Sequence, residues 1–360
     1  MRTAIFLGAG AAAAEGAPLQ AGLFRRYFEN LRASDPQLHH AMDKELATFF
    51  RLMFDIDVHH NDLARVEFPT FEEALGVLDL AVARGEGLRD FDLVNMAGNS
   101  GRILAIRIYL VILLAKAIKD CLDESSGSDH LHLQMVENLK SASLLEEVIF
   151  ITTNYDLLLD NAIIKHSHQK YDDPAPINYA IHFANNGDWP PPSPRATEVY
   201  KIHGSLNWLY CSSCNTIRYT PLEKGIVRLY NGDPDCACPE CESVFEPLII
   251  PPTFFKSMGN VFLTRIWHAA EQALRGVDQV IFCGYSFPDA DLHIKYLLKR
   301  AQRRRSVGAL KFKVINHYCM KPSSESQLEE SRFRRFLGQQ VKYTGMSFQD
   351  FAANPVAYMS

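Results

Sequence analysis

No segment of the chain approaches the roughly 20 continuous apolar residues that an α-helix needs to cross a bilayer, which excludes a transmembrane helix. Charge of one sign is also scarce: 37 basic against 42 acidic residues leave a formal net charge of −5. Without a basic excess, direct nucleic-acid binding is not indicated. Internal repeats and long low-complexity tracts are missing, so a repeat array is excluded. Cysteine is thin outside one region. Of eight cysteines, five fall between Cys211 and Cys241 in close pairs. That layout suits metal binding more than a disulfide framework, and it implies a reducing, cytoplasmic setting. At the N-terminus, Arg2, the apolar run Ala4 to Leu7 and alanines through Ala14 have the outline of a signal peptide. Two glycines interrupt the run, and Glu15-Gly16-Ala17-Pro18 follows where a loop turns into a helix, so no signal peptide is expected.

What is present is an ordinary globular composition, 47% hydrophobic and 22% charged over 360 residues. That size holds one large α/β domain with insertions, or two smaller domains. Thr3 to Leu7 reads as a buried strand, followed by an Ala-rich loop and a helix from about Leu19 to Leu31. From about Asp35 to Leu145 the pattern is helical, with Leu46, Phe49, Phe50, Met53 and Phe54 at helical spacing and a long apolar-faced helix over Arg102 to Ile118. Further strands are expected at Glu147–Thr152, Glu198–Ile202, Gln279–Cys283 and Lys311–Ile315, and helices at Gly259–Leu274 and Asp289–Ala301. The Pro-rich residues from Asp172 to Ala196 read as irregular. Alternating strands and helices imply a doubly wound, parallel, Rossmann-like sheet. The expected division is a Rossmann-like domain over 1–34 and 146–360, a helical insertion over 35–145, and a small cysteine module over 205–250.

Gly8-Ala9-Gly10 directly follows the first strand, where glycines let a backbone approach a pyrophosphate and a helix N-terminus favours its charge. A tight turn without a ligand explains the same glycines. The third glycine of the dinucleotide fingerprint is Ala13, so a hydride-transferring dehydrogenase is poorly matched. Thr152-Thr153-Asn154-Tyr155-Asp156 ends the second strand. Asn154 could bond a ribose hydroxyl or hold a water that Asp156 orients; alternatively, both cap the next helix. His203 follows a strand and precedes Gly204, a position from which an imidazole can take a proton from a hydroxyl or a water. Most other histidines, such as His39-His40 and His59-His60, read as surface residues. Cys211-x-x-Cys214 and Cys238-x-x-Cys241 supply four thiolates for a structural, tetrahedral zinc with no open position. Cys236 is a fifth candidate that could replace Cys238. Gly284 and Ser286 could reach phosphate or ribose oxygens, Asp289 is a candidate helix N-cap, and Asn316 could contact an adenine-ribose hydroxyl. The basic run Lys299-Arg300 and Arg303-Arg304-Arg305 reads as a solvated helix end that complements the helix dipole.

In this order, Gly8-Ala9-Gly10, Thr153-Asn154-Tyr155-Asp156, His203-Gly204, the four cysteines, Gly284-Tyr285-Ser286 and Ile315-Asn316 resemble the sirtuin family, which breaks the glycosidic bond of NAD. The strings T-T-N-Y-D, K-I-H-G-S and G-Y-S-F-P-D-A-D resemble, more narrowly, a bacterial sirtuin-like branch associated with anti-phage defence. The resemblance implies Asn154 and His203 as the catalytic pair, with Asp156 beside them. It implies that Gly8, Ala9, Gly10, Thr153, Gly284, Ser286 and Asn316 hold NAD+. Deacylases of the family carry an Asp-Phe-Arg segment after a Gly-x-Pro, whereas here Leu19-Gln20 follows Gly16-Ala17-Pro18. They also carry a Phe-Gly-Glu strand that pairs with the acylated peptide. Here Pro247-Leu248-Ile249-Ile250-Pro251-Pro252 stands instead, and proline cannot donate to a ladder.

A site lacking the aromatic shield and the peptide groove leans toward water as acceptor. The leading expectation is a gated NAD+ hydrolase acting in defence, with Zn2+ as a structural ion. The helical insertion would serve homo-oligomer or partner contacts, including a helicase-type ATPase. Two other functions remain open: an NAD-dependent deacylase or ADP-ribosyltransferase, and a non-catalytic NAD or ADP-ribose sensor.

Overall fold

A computed structural model describes residues 1–19, 22–29, 36–87, 102–124, 130–167, 173–184, 189–220, 237–250, 260–305, 308–317 and 321–359. Seven strands form one parallel sheet: β1 (Thr3–Leu7), β2 (Val148–Thr152), β3 (Ala175–Asn178), β4 (Pro192–Lys201), β8 (Gln279–Cys283), β9 (Lys311–His317) and β10 (Lys342–Ser347). The spatial order is β10-β9-β8-β1-β2-β4-β3. Strands β1, β2 and β8 are buried along their whole length. This is why they read as continuous apolar runs: helices cover both faces of a parallel sheet. The chain leaves β1 toward β2 and β4 on one side, then returns to lay β8 and β9 on the other. The order therefore reverses at β1, and a doubly wound sheet of this order places its ligand crevice beyond the carboxyl ends of the strands flanking that point.

Between β1 and β2 the described chain is helical: α1 (Ala9–Ala13), α2 (Leu23–Glu29), α3 (Pro36–Phe54), α4 (Phe71–Arg84), α5 (Arg102–Glu124) and α6 (Leu131–Ser141). Helices α2 to α5 share their own apolar core, built around Phe24, Phe28, Phe49, Phe50 and Phe71. Tyr155 and Leu206, from either side of the crevice, belong to that core as well. Helix α6 instead joins the sheet's core through Leu131, Met135, Val136 and Leu139. Apolar packing thus changes partner between α5 and α6. Glu15, in the loop after α1, fastens α6 to the crevice by accepting from the His132 backbone N–H at 2.6 Å and bonding the His132 ring Nδ1 at 2.5 Å.

Two sequence expectations are corrected. The Ala-rich segment is not a loop: Ala9 to Ala13 forms a short helix immediately after Gly8, consistent with alanine's helix propensity. The Pro-rich stretch is not irregular throughout, because it contains β3 and the start of β4, which begins at Pro192. Proline is tolerated at the first residue of a strand, where a missing N–H leaves the rest of the ladder intact.

A second, three-stranded antiparallel sheet, β6-β5-β7, follows β4. It comprises β5 (Gly204–Cys211), β6 (Thr216–Tyr219) and β7 (Glu246–Ile249). The remaining helices are α7 (Leu158–Ser167), α8 (Val261–Gly276), α9 (Leu292–Arg303), α10 (Ser323–Leu337) and α11 (Phe348–Ala353). Asn260 caps α8 by accepting from the Phe262 and Leu263 N–H groups. The basic end of α9 is engaged within the fold: Arg300 and Arg304 lie 3.1 and 3.9 Å from Glu271 of α8.

Candidate functional site

The glycine turn is shaped by the strand beside it. Gly8 N–H donates to the Cys283 carbonyl at 2.9 Å, and Gly10 N–H donates to the Gly284 carbonyl at 2.7 Å. A Cβ on Gly284, whose φ is +65°, would lie 2.0 Å from the Ala11 nitrogen. A Cβ on Gly8 would lie 2.7 Å from the Gly284 carbonyl oxygen. Glycine at these positions lets two backbones touch, joining the ends of β1 and β8. Ala9, between them, is exposed, as is Ser286 beyond Gly284.

Strands β2 and β4 pair in parallel with Thr152 opposite Lys201. Asn154 and His203 each stand two residues beyond that pair, so the register places them at equivalent positions past adjacent strand ends. Asn154 is half-buried; its side-chain amide donates to the Gly8 carbonyl at 3.0 Å, and its backbone N–H donates to Thr152 Oγ1 at 3.0 Å. Thr153 N–H donates to the Leu7 carbonyl at 3.2 Å. The Thr-Thr-Asn segment is thereby stitched to the end of β1.

His203 is 3% exposed. Its carbonyl accepts from Ile250 N–H at 2.7 Å, and the neighbouring Ile202 carbonyl accepts from Trp267 Nε1–H at 2.8 Å. The imidazole lies near-parallel to the Tyr155 ring, with centroids 6.4 Å apart. Tyr155 donates to the Ile250 carbonyl at 2.6 Å, and its burial raises the phenol's pKa so that it stays a donor. Gly204 turns the chain with φ +84°, where a Cβ would lie 2.0 Å from the Leu248 carbonyl oxygen of β7.

Asp156 follows the capping alternative. Its carboxylate accepts from Leu158 N–H at 3.0 Å at the start of α7, and burial raises its pKa against the lowering effect of Lys201. Beneath it, the fully buried Lys201 ammonium donates to the Asp156 carbonyl at 2.6 Å and to Asp160 at 2.9 Å. Asn316 lies on β9, with its amide donating to Glu329 at 2.7 Å inside a buried cluster with Lys321. Asp289 is not the N-cap of α9; that position is Asp291, and Asp289 pairs with Lys295 at 2.7 Å.

Sequence reasoning passed over two neighbours of His203. His293 Nε2 lies 2.9 Å from His203 Nε2, and Asp291 lies close to both. The spacing Asp291-x-His293 at a helix start was the available signal, but a first-turn acid reads more simply as a response to the helix dipole.

The four cysteines meet at one end of the small sheet. Cys211 and Cys241 sulfurs are 3.5 Å apart, as are those of Cys214 and Cys238, and all four lie within 4.8 Å of one another. Zn–S bonds of about 2.3 Å place the sulfurs of a tetrahedral site roughly 3.8 Å apart, so the donor set fits zinc. Hydrogen bonds from Ser243 lower the Cys241 thiol's pKa to about 6, which favours the thiolate a metal requires. Cys236 lies outside the described residues.

No curated relative matches the chain. Among solved structures, the chain is similar to Sir2Tm bound to a propionylated peptide, with 14% identity, 99% of this chain and 92% of that chain covered, and a TM-score of 0.43. It is also similar to Sir2 with a p53 peptide and NAD+, at 16% identity, 99% and 92% coverage and a TM-score of 0.41. A third is Sir2 bound to an acetylated peptide, at 15% identity, 99% and 92% coverage and a TM-score of 0.41. The family model described as the SIR2-like domain matches residues 148–343, more than half of the chain, and the protein belongs to that family.

Proposed function

We propose that the chain is an NAD+ hydrolase that releases nicotinamide and ADP-ribose, with a regulated role in defence against phage. The observation that carries this reading is that Asn154 and His203 stand at equivalent positions, two residues beyond the paired strands β2 and β4, next to β1, where the strand order reverses. In a SIR2-like chain that crevice suits NAD as substrate. Ala9, Thr153 and Ser286 follow the ends of β1, β2 and β8, and Asn316 lies on the neighbouring β9; Gly8, Gly10 and Gly284 let the ends of β1 and β8 touch. The four cysteines would hold a structural zinc at a distance from the chemistry.

Hydrolysis breaks the bond between the ribose carbon and the nicotinamide nitrogen, and the leaving ring keeps the electron pair. A water forms the new carbon–oxygen bond. Asn154, held against the Gly8 carbonyl, would position that water or a ribose hydroxyl, and His203 would take the proton released. Tyr155 and the carbonyl bond from Ile250 hold the His203 ring and backbone in place for this step.

Water is favoured over an acylated lysine because β7 is a poor platform for a peptide strand. It is four residues long, pairs with β5, and includes Pro247, which has no N–H to donate. The test is incubation with NAD+ in the presence and absence of an acetylated peptide, measuring nicotinamide and ADP-ribose. Peptide-independent ADP-ribose that falls by at least about a hundredfold in His203→Ala and Asn154→Ala is expected. Turnover that requires the peptide would replace this reading with a deacylase.

A further inference from the structure

Beside the proposed base, three metal-binding side chains converge outside the cysteine cluster. One donor atom from each of His203, Asp291 and His293 lies within 4.8 Å of the others, with the two Nε2 atoms 2.9 Å apart. His203 and Asp291 are buried, and His293 is half-buried. Asp291 occupies the N-cap of α9, yet its side chain makes no capping bond. A carboxylate at that position ordinarily accepts a backbone N–H. Here it accepts from the Tyr285 hydroxyl at 2.7 Å. A carboxylate turned from its helix and oriented by a fixed donor has the arrangement found behind metal ligands. The Trp267 ring, 5.1 Å from that of His293, supplies an apolar wall.

We propose that His203, Asp291 and His293 form a second metal site, which takes zinc or a similar borderline divalent cation, and that its occupancy withdraws His203 from catalysis. Two imidazoles and a carboxylate are the donor set of open zinc sites. With bonds of about 2.1 Å, ligand atoms around one ion lie roughly 3.0–3.4 Å apart, so the imidazoles need separate by only a few tenths of an ångström. In the ion-free pair, one hydrogen lies between the two Nε2 atoms. On binding it moves to Nδ1 of its ring; both imidazoles then coordinate as neutral ligands, and no electron is transferred. The His203 lone pair is then held by the ion and cannot accept a proton from water. The metal-binding half stands on geometry alone, whereas the regulatory half rests on the NAD+ hydrolase reading.

The experiment loads the full chain with excess zinc, removes the unbound ion and measures metal content, with His203→Ala, His293→Ala and Asp291→Asn in parallel. Two equivalents are expected in the wild type and one in each variant. Cobalt(II) distinguishes the sites: the intense thiolate charge-transfer band should persist in all three variants and so also report that they fold. One equivalent in the wild type, or two in the variants, overturns the site. Nicotinamide release by the wild type is then followed with zinc and after chelation of the second equivalent. Zinc should slow release by about a hundredfold, the scale of losing a general base. Unchanged or faster release would overturn the withdrawal of His203. No hydrolysis in any metal state, with the second equivalent present in the wild type and lost in the variants, would overturn the hydrolase reading and leave the metal site standing.

Discussion

At the scale of single residues, Gly204 decides where His203 sits. Its φ of +84° is strained for any other residue, and an added Cβ would press to 2.0 Å against the Leu248 carbonyl oxygen. The neighbour is backbone of β7, which cannot rotate away as a side-chain tip would. Gly204→Ala should therefore cost about 1–3 kcal/mol from backbone strain, with the clash added to it. Because Ile250, the residue directly after β7, also holds the His203 carbonyl, relief of the clash must shift the imidazole. The expected outcome is a lower thermal midpoint together with loss of nicotinamide release, measured by calorimetry and product assay on one preparation. A variant with native stability and native turnover would mean that the turn tolerates a Cβ and does not fix the base.

At the scale of elements, the strands that deliver the site were legible and the pairings around them were not. Val148–Thr152 and Gln279–Cys283 are buried throughout and mostly apolar because helices cover both faces of the sheet, and that signal survives in one dimension. The early part of β4 gave no such signal: it pairs with the edge strand β3, and its exposed, proline-bearing residues resemble a loop. The contact between His203 and His293 spans 90 positions and depends on how α9 packs, which no local pattern encodes. The cysteine module lies between these cases. Its Cys-x-x-Cys spacing pointed to a metal site, while the spacing alone left Cys236 and Cys238 as alternatives. Cys238 is buried, with its sulfur 3.5 Å from that of Cys214. Cys238→Ser should lose the tightly held thiolate-bound zinc and destabilise the β5–β6–β7 sheet, whereas Cys236→Ser should retain the metal. Metal content after dialysis against a weak chelator checks this, and the reverse pattern would exchange the two residues.

At the scale of the molecule, the helical core of α2 to α5 and the core of the parallel sheet are separate clusters, and Tyr155 stands where they meet. Its ring belongs to the helical core, its hydroxyl donates to the Ile250 carbonyl just after β7, and its face lies against His203. One side chain thus ties the α2–α5 block to the residue proposed as base, so movement of that block would be felt at His203 without a long relay. Tyr155→Phe keeps the ring and leaves the buried Ile250 carbonyl without its donor, an expected loss of about 1–3 kcal/mol. Tyr155→Ala also removes the apolar contact between α2–α5 and the crevice, and truncating a buried aromatic ring costs about 3–5 kcal/mol. If Tyr155 couples the blocks, the wild type and Tyr155→Phe should unfold in one thermal transition. Tyr155→Ala should instead separate it into two, with the helical block melting first. Amide hydrogen exchange should locate the early transition in α2 to α5. A single, merely lowered transition in Tyr155→Ala would mean that coupling is spread over the remaining contacts, including Leu206, and that movement of the helices reaches His203 by another route.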